Sequence, residues 1–283
     1  MGVKERSWQD DFVTAIIDIG VAVEFLPSSI YTLLKLNHSD QLLINLISID
    51  NPFSAEELLA LQAKWKEENT QVINLWEDVW LSKPAQVLGR LSSVLGLNKR
   101  VHGRKTKIIS VTQEVANTFY NKFHLQGTAG CKYRYALEIE GEIIAIAGFS
   151  DKRKMIQHKE PYNSVELIRF ATIHGFTVTG GLSKLIKHFI KTVLPNDVMS
   201  YADMDWSEGS GYIALGFKLV AQTAPIPMFL DKNTLQRYFP HRLPVALLKE
   251  TADMDEVEKA DYLKMKNYTS VFNTGNLKYI LYL

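Results

Sequence analysis

The sequence predicts an α/β (α+β) protein in which a central mixed sheet with flanking helices follows a smaller α/β domain. Two observations predict this class. Apolar runs of strand length alternate with amphipathic segments of helix length, and hydrophobic residues make up 46% of the chain, enough for packed cores. Because 283 residues exceed an average single domain, we divide the chain into a small α/β domain over 1–104, a central domain over 105–235, and a C-terminal tail over 236–283 that packs on the central domain.

The first part begins with a helix and two strands. Their segments are "DFVTAIIDIG", "VAVEFLP" and the near-continuous apolar run "QLLINLISID", which is typical of a buried strand. Ser54, followed three residues later by Glu57, forms a capping-box pattern that predicts the start of a helix. A strand, "TQVINLWEDVW", and a helix, "SKPAQVLGRLSSVLGL", come next. The polar and basic segment 98–105 marks the predicted end of this domain.

The second part has a different order of elements. A strand ("TKIISVT") and a helix ("QEVANTFYNKFHLQ") precede an alternating segment that turns at Glu140-Gly141, which predicts a hairpin. A polar loop, "DKRKMIQHKEPYN", leads to the strand "SVELIRFATI", a glycine turn and a helix. The last predicted elements are a strand "DVMSYADMD", a short helix "SEGSGYIAL", the strands "GFKLVAQT" and "PIPMFLD", and a strand-like end, "YILYL".

The glycine turn is the first candidate for a binding site. Gly180 and Gly181 precede a helix whose apolar stripe consists of Leu182, Leu185, Ile186, Phe189, Ile190 and Val193. The first N–H groups of a helix are unpaired and the macrodipole is positive there, so a phosphate could approach them where side chains are missing. Ser183 and Lys184 would add a hydroxyl and a charge. Two explanations stay open: a phosphate site, or a simple turn between strand and helix.

The order of strand, glycine turn, amphipathic helix and strand, ending in "YIALGF", resembles the GNAT superfamily of acetyl-CoA-dependent N-acetyltransferases. In that family a turn of pattern Q/R-x-x-G-x-G/A holds the pyrophosphate of coenzyme A. The segment "VTGGLS" is similar, with Gly181 as the first glycine and Ser183 as the final small residue, although Val178 stands where Gln or Arg is usual. The resemblance implies acetyl-CoA as cofactor, bound by Val178, Thr179, Gly180, Gly181, Leu182, Ser183 and Lys184.

The catalytic residues implied by the resemblance follow from a second family pattern, N-x-x-A-x-x-x-Y-x-x-x-G-F, which "DWSEGSGYIALGF" resembles. Tyr212 takes the place of the tyrosine that often protonates the departing thiolate, and Asp205 takes the place of the asparagine. The identity of the general base stays open: Glu166, on the strand before the glycine turn, and Asp205, at the end of the next strand, are placed plausibly. Asp203 and His174 are further candidates, and each of these four also has a structural or solvent-facing explanation.

Longer segments, "VELIRFATIHGFTVTGGLSKLIKHFI" and "SYADMDWSEGSGYIALGF", look like a GNAT-like module of phage and bacterial proteins associated with homing-type endonucleases. The segment that ends in "NLWEDVW" resembles the closing strand–helix–strand of very short patch repair type endonucleases. That class needs an aspartate and D/E-x-K for a Mg²⁺ site, and here no Lys follows Asp or Glu by two positions. We therefore predict a degenerate nuclease-like or binding domain without metal, although four carboxylates could ligate one in principle: Asp40, Asp50, Glu77 and Asp78.

Composition bounds the partners. The 32 Lys and Arg residues balance 31 Asp and Glu, giving a formal charge of +1 and no overall footprint for nucleic acid or membrane. Nucleic acid is therefore a disfavoured partner, its only local candidates being the basic loop after the hairpin and Arg100, Arg104 and Lys105. The charged start and the lack of a long apolar run predict a cytoplasmic protein.

The predicted function is acetyl-CoA-dependent N-acetyl transfer by direct attack of a small-molecule or protein amine on the thioester. The alternative is a DNA-associated accessory protein of phage or mobile-element type in which the GNAT-like fold is not catalytic. Cys131, the only cysteine, offers a competing covalent route, but a cysteine on a strand without a partnered base is more often an inert buried thiol. The oligomeric state stays open.

Overall fold

The computed structural model describes residues 7–28, 30–156 and 160–283. In chain order, the strands among these residues are β1 (Val23–Phe25), β2 (Thr32–Leu36), β3 (Leu42–Ile47), β4 (Gln71–Trp76), β5 (Lys99–His102), β6 (Lys107–Ser110), β7 (Tyr133–Ile139), β8 (Glu142–Phe149), β9 (Arg153–Lys154), β10 (Asn163–Thr172), β11 (Phe176–Thr179), β12 (Asp197–Asp203), β13 (Lys218–Gln222), β14 (Ile226–Asp231), β15 (Gln236–Tyr238), β16 (Tyr268–Asn273) and β17 (Asn276–Tyr282). The helices are α1 (Trp8–Asp18), α2 (Ala55–Glu67), α3 (Glu77–Ser82), α4 (Pro84–Val94), α5 (Gln113–Phe123), α6 (Gly181–Val193), α7 (Ser210–Ala214), α8 (Val245–Glu250) and α9 (Glu256–Met265).

The chain forms two compact units, and each is assembled from separate stretches of sequence. Unit 1 comprises the chain up to Ser82, Asp203–Glu208 and Gln222–Asn276. Unit 2 comprises Lys83–Ala202, Gly209–Ala221 and Leu277–Leu283. Both combine sheets with helices, so the predicted α/β class is confirmed. Of the predicted polar loop after the hairpin, residues 157–159 lie outside the described residues.

Unit 1 contains a four-stranded sheet in the order β1-β2-β3-β4, whose last two strands are parallel. Helix α2 lies between those strands in sequence, and it begins where the capping box predicts. The Ser54 side chain accepts from the Glu57 N–H, and the Glu57 carboxylate accepts from the Ser54 N–H. Leu58 and Leu61 on this helix are buried.

A three-stranded sheet, β15-β14-β16, also belongs to unit 1. Its Leu230 and Val271 share one apolar cluster with Ile47, Leu58 and Trp76. A buried ion pair adds to this contact, because the Arg237 guanidinium bonds to the Asp78 carboxylate at 2.6 and 2.7 Å. The predicted C-terminal tail is divided between the two units, because only Leu277–Leu283 of it belongs to unit 2. Burial of the apolar side chains named above holds the rest of the tail in unit 1.

Unit 2 is built on an eight-stranded sheet in the order β13-β17-β12-β10-β8-β7-β6, with β9 paired to β10 off this path. Strands β10 and β12 are parallel, whereas the β10/β8, β8/β7 and β7/β6 pairs are antiparallel. The β7/β8 hairpin turns at Glu140 and Gly141, as predicted. Both residues have positive φ (52° and 85°), which gives a twist that matches the strands.

Unit 2 begins at Lys83, before the boundary predicted at residue 104. Helix α4 packs beside α5, where the Lys83 ammonium donates to Leu125 O at 2.5 Å and the Gln86 amide donates to Asn121 O at 2.8 Å. Strand β5, which lies in the segment 98–105 where the domain boundary was predicted, pairs in parallel with β11, and His102 lies opposite Thr179. These long-range bonds make 83–102 part of the second unit.

Helix α6 packs on β7 and β8 through its predicted apolar stripe. Leu185, Ile186, Phe189 and Val193 are buried. The Phe189 ring stacks on Phe149 of β8 with 4.0 Å between centroids and 3° between planes. Within residues 7–28, 30–156 and 160–283, no helix is both long and apolar enough to cross a bilayer.

Replacement of Phe189 by Ala should lower the free energy of unfolding by roughly 3–5 kcal/mol, because a fully buried ring leaves a cavity. Urea denaturation would measure this loss. The matched control is Ile213→Ala on α7, where the side chain is 59% exposed, and the expected change there is within about 0.5 kcal/mol. A loss below about 1 kcal/mol for Phe189→Ala would contradict the observed packing of α6.

Candidate active site

The parallel strands β10 and β12 separate partway along their length. Their pairing covers Ser164↔Asp197, Val165↔Val198 and Glu166↔Met199. Directly after this, the register of β10 against β8 shifts between Leu167 and Arg169, which leaves an extra residue on β10 as a bulge. The sheet therefore opens between two neighbouring parallel strands, and main-chain groups of β10 are turned toward the opening.

Tyr212 of α7 lies at this opening on one face of the sheet. The Ser200 hydroxyl oxygen lies 2.9 Å from Leu167 O and 2.9 Å from the Tyr212 hydroxyl. Because a carbonyl can only accept, the single Ser200 proton goes to Leu167, and the Tyr212 O–H donates to Ser200. Burial raises the pKa of Tyr212, while the Ser200 hydroxyl opposes this rise. Tyr212 therefore holds its proton at neutral pH, and Ser200 can turn to donate to the phenolate once that proton has left.

Glu166 lies on the other face of the sheet. Leu167 pairs with Phe149, which stacks under α6, so alternation along β10 directs Glu166 toward the α5 face. Burial raises the pKa of Glu166, and the cations Arg153, Arg169 and Lys278 oppose that rise. A carboxyl whose pKa lies closer to neutrality is a more effective proton acceptor at neutral pH.

Arg169 and Ser200 are two residues of this region that sequence reasoning missed. The Arg169 guanidinium donates to Gly127 O at 3.3 Å and to Ile168 O at 2.9 Å, and burial lowers its pKa. An arginine between the apolar pairs Leu167-Ile168 and Phe170-Ala171 was the available signal. Ser200 had none, since a serine on a strand is unremarkable without knowledge of its neighbours.

Cys131 is a buried thiol on the α5 face of the sheet. Its side chain is 6% exposed, and a Cβ at Gly148 would meet its sulfur at 2.5 Å. Burial raises the pKa of Cys131, so the reactive thiolate is disfavoured. These properties favour the inert-thiol interpretation over a covalent route.

The two glycines before α6 differ in what they permit. Gly180 is the N-cap of the helix, has φ +71° and would place a Cβ in open space, with no atom within 4 Å. No side chain caps this helix start, so its first N–H groups have no side-chain acceptor. At Gly181, by contrast, a Cβ would lie 2.8 Å from Val178 and 2.9 Å from Leu137. Gly181 is therefore required by packing, and Gly180 by backbone conformation.

The side chains of two predicted phosphate ligands, Val178 and Lys184, are not available to a ligand. The Val178 side chain is buried beneath Gly181, so only its main chain is available. The Lys184 ammonium donates to Gly103 O at 3.0 Å and to Thr106 O at 2.5 Å, so it is held by these two carbonyl oxygens and is less available to a phosphate. Thr179 is exposed, and Leu182 and Ser183 are half-buried, so Ser183 is the remaining first-turn hydroxyl.

Asp205, predicted to be catalytic, belongs to unit 1 rather than to the unit that holds Glu166 and Tyr212. Its carboxylate is 3% exposed and accepts from the Thr274 hydroxyl at 2.8 Å, from the Thr274 N–H at 3.3 Å and from the Asn74 amide at 3.3 Å. Burial raises the pKa of Asp205, and the bond from Thr274 opposes this. These contacts give Asp205 a structural role.

The other candidate bases also have structural partners. One Asp203 carboxylate oxygen accepts from the Asp205 N–H at 3.1 Å. The His174 ring packs against Phe123 with 5.0 Å between centroids, and burial lowers the pKa of His174. Gly89 leaves the space for this ring, since a Cβ there would lie 2.3 Å from it.

The carboxylates considered for a metal are each occupied. Asp40 pairs with Lys35 at 2.9 Å and Asp50 with Lys232 at 2.7 Å. Asp78 bonds to a guanidinium, as described above, and Glu77 accepts from the Ile49 N–H at 2.9 Å. Glu77 also begins α3 rather than ending the strand. Within the described part of the chain, no three His, Cys, Asp or Glu side chains form a group that could hold a metal ion.

No protein-family model matches this sequence. No curated protein matches it either. Among solved structures, the chain is similar to an IAA acetyltransferase from Bacillus cereus, with 11% identity and a TM-score of 0.35 over 63% of this chain and 99% of that chain. A GNAT family acetyltransferase from Elizabethkingia anophelis with acetyl-CoA bound has 11% identity and a TM-score of 0.34 over 63% and 99%. A putative acetyltransferase from Salmonella typhimurium with its cofactor acetyl-CoA has 13% identity and a TM-score of 0.36 over 63% and 94%.

Replacement of Asp205 separates a structural carboxylate from a catalytic one. Asp205→Ala should destabilise unit 1 by about 1–3 kcal/mol for each donor left buried without a partner. Asp205→Asn keeps an acceptor oxygen and should be tolerated. Because the folded-state pKa of this acid is raised, the wild type loses stability as pH rises from the unfolded value through the folded one.

Asn at this position should remove that pH-dependent loss, so the stability of the wild type relative to Asp205→Asn should fall between pH 4 and pH 8. Thermal unfolding at both values would measure the difference. Equal destabilisation by Ala and Asn would contradict the expectation that one acceptor oxygen at this position is enough to keep the fold stable.

Proposed function

We propose that this protein is an acetyl-CoA-dependent N-acetyltransferase in which an acceptor amine attacks the thioester directly. The observation that carries the proposal is the opening between β10 and β12, which has the Tyr212 hydroxyl on one face and Glu166 on the other. An acyl transfer to an amine needs a proton donor for the leaving group and a proton acceptor for the nucleophile. Two groups with these properties meet at one gap in the sheet.

Acetyl-CoA, when bound, would supply an activated acetyl thioester. Glu166 would take one proton from the acceptor ammonium, the C–N bond would form as the C–S bond breaks, and Tyr212 would give its proton to the sulfur. The nitrogen would then release its second proton to solvent, and Tyr212 would regain a proton from solvent. Ser200 acts as a positioning residue, because its bond fixes the Tyr212 hydroxyl at the opening and can then stabilise the phenolate. The raised pKa of Glu166 supports its role as proton acceptor, and the raised pKa of Tyr212 keeps that hydroxyl protonated until a thiolate forms.

The residues at the start of α6 fit a phosphate group. Uncapped N–H groups of Gly181, Leu182 and Ser183, the Ser183 hydroxyl and the open space at Gly180 are the elements that would hold it. The Val178 and Lys184 side chains are excluded from this role by their burial and bonding. Thr179 and Val178 would contribute through the main chain only.

The finer resemblance, to a module associated with homing-type endonucleases, stays a prediction. For unit 1 we propose a non-catalytic role, because the sequence lacks D/E-x-K and each carboxylate considered for a metal has another partner. The acceptor would be an amine, small or on a protein, that reaches the α5 face where Glu166 lies.

Replacement of Tyr212 by Phe should lower kcat by about 10²–10⁴ with little change in KM, because the ring remains and only the proton donor is lost. The assay would measure acetyl-CoA consumption with a panel of amines. Tyr262→Phe is the matched control, since it removes a hydroxyl that bonds to Glu250 in unit 1. Cys131→Ala should leave the rate nearly intact. A silent Tyr212→Phe with an inactive Cys131→Ala would overturn the direct mechanism.

Replacement of Ser183 by Asp should weaken coenzyme A binding by more than tenfold, at least about 1.4 kcal/mol, because a negative charge would face the phosphates. The same charge favours the first turn of a helix, so the fold should not suffer. Ser183→Asn, similar in size but neutral, is the control. Isothermal titration with desulfo-CoA would compare them. Equal affinities for the Asp and Asn variants would remove α6 from the cofactor site.

A further inference from the structure

The nearly neutral charge of the chain conceals a strong segregation of charges along it. Residues 79–113 contain seven Lys and Arg, and residues 167–196 contain four, while neither stretch has an Asp or Glu. The rest of the chain therefore carries 21 Lys and Arg against 31 Asp and Glu. Apart from residues 79–82, both acid-free stretches belong to unit 2, where β5 pairs with β11 and brings them together.

A groove of about 710 Å³ lies where these stretches meet. One wall is α6, with Lys187, His188 and Lys191, and the other is the end of β5 and the following turn, with His102 and Arg104. Lys184 joins the two walls through its bonds to Gly103 and Thr106. Of the described residues that line the groove, none is acidic, so its cations have no competing carboxylate there.

This groove is separate from the candidate active site. It includes Ile108 of β6, the edge strand, whereas the opening lies between β10 and β12. Strand β6 is four strand spacings from β12, or about 19 Å at roughly 4.8 Å each. Helix α6 packs over β7 and β8, between the two places. The groove adjoins the candidate cofactor site at the start of α6, where Thr179, Gly180, Ser183 and Lys184 line it.

The arrangement of cations indicates which ligand fits. Lys187 and Lys191 are one helical turn apart, about 6 Å along the axis, and Arg104 faces them across the groove. Further cations on the β5–β6 segment are exposed: Lys99, Arg100, Lys105 and Lys107. A row of this kind suits a chain of phosphates better than one isolated anion, because successive phosphates recur every 3.4 Å or so along a duplex strand.

We propose that this groove binds the sugar-phosphate backbone of a nucleic acid. No Phe, Tyr or Trp is among the residues described as lining it, so it offers no aromatic platform for stacking bases. Contacts to phosphates position a nucleic acid without reading its sequence. The binding is therefore sequence-independent and sensitive to salt, and it does not depend on acetyl transfer.

The test uses the full chain and a fluorescein-labelled 20-base-pair duplex of arbitrary sequence, followed by fluorescence anisotropy between 50 and 200 mM KCl. Lys187→Gln/Lys191→Gln is the test variant, since both side chains are exposed. Lys249→Gln/Lys264→Gln, exposed on α8 and α9 of unit 1, is the control with the same change of charge. Thermal unfolding would verify that each variant folds.

The wild type should bind the duplex, and the control should bind it equally well. The test variant should bind on the order of a hundredfold more weakly at 50 mM salt, because each phosphate contact contributes roughly 15-fold there by counterion release. The slope of log Kobs against log salt should become shallower by about two. A single strand of the same length should bind with a somewhat shallower slope than the duplex, about 0.7 rather than 0.9 per contact.

Three results would overturn the proposal. The first is no saturable binding tighter than about 10⁻⁴ M at 50 mM salt. The second is an equal loss in the test and control variants, which would mean that net charge alone is responsible. The third is a loss of desulfo-CoA affinity in the test variant equal to its loss of duplex affinity, which would assign these cations to the cofactor. Tyr212→Phe should keep duplex binding, so failure of this proposal is distinguishable from failure of the acetyltransferase proposal.

Discussion

The early end of the pairing between β10 and β12 is the constraint on which the functional part of unit 2 depends. Parallel strands normally continue their hydrogen bonds, but here the extra residue on β10 changes its direction after Glu166. The main-chain acceptor released at Leu167 is taken by Ser200, whose hydroxyl in turn receives that of Tyr212. One irregularity in a strand thus fixes the position of a hydroxyl that comes from a separate helix.

The same opening gives the two faces of the sheet different chemistry. On the α6 face, the buried Tyr212 hydroxyl holds a proton tightly, because burial disfavours its charged form. On the α5 face, burial raises the pKa of Glu166, and the charges of three cations limit that rise. A sheet without the opening would keep these groups apart, since strand residues on opposite faces are separated by the main chain itself.

The sequence predicts best those features that depend on residues close together in the chain. The capping box at Ser54, the Glu140-Gly141 turn and the stripe on α6 through Phe189 all follow from local spacing. Two other features join residues that are distant in sequence, and no local pattern indicates them. These are the pairing of β5 with β11 and the packing of residues 222–276 into unit 1. The candidate site divides in the same way: the short helix that carries Tyr212 is predictable from the local sequence, whereas the surroundings of Asp205 depend on Asn74 and Thr274, which are distant in sequence.

The adjacent glycines before α6 illustrate why a motif alone does not identify a ligand site. Gly181 is explained by the closeness of Val178 and Leu137, which leave no room for a Cβ, so its identity says nothing about a cofactor. Gly180 has open space around it, and its positive φ is strained for other residues. A phosphate at this site would therefore contact the main chain from Gly180 onward rather than the side chains of Val178 and Lys184. Since Lys184 is bound to the neighbouring turn, attraction for a phosphate there depends on the helix N–H groups. The free cations lie farther along α6, on the side that faces the basic groove.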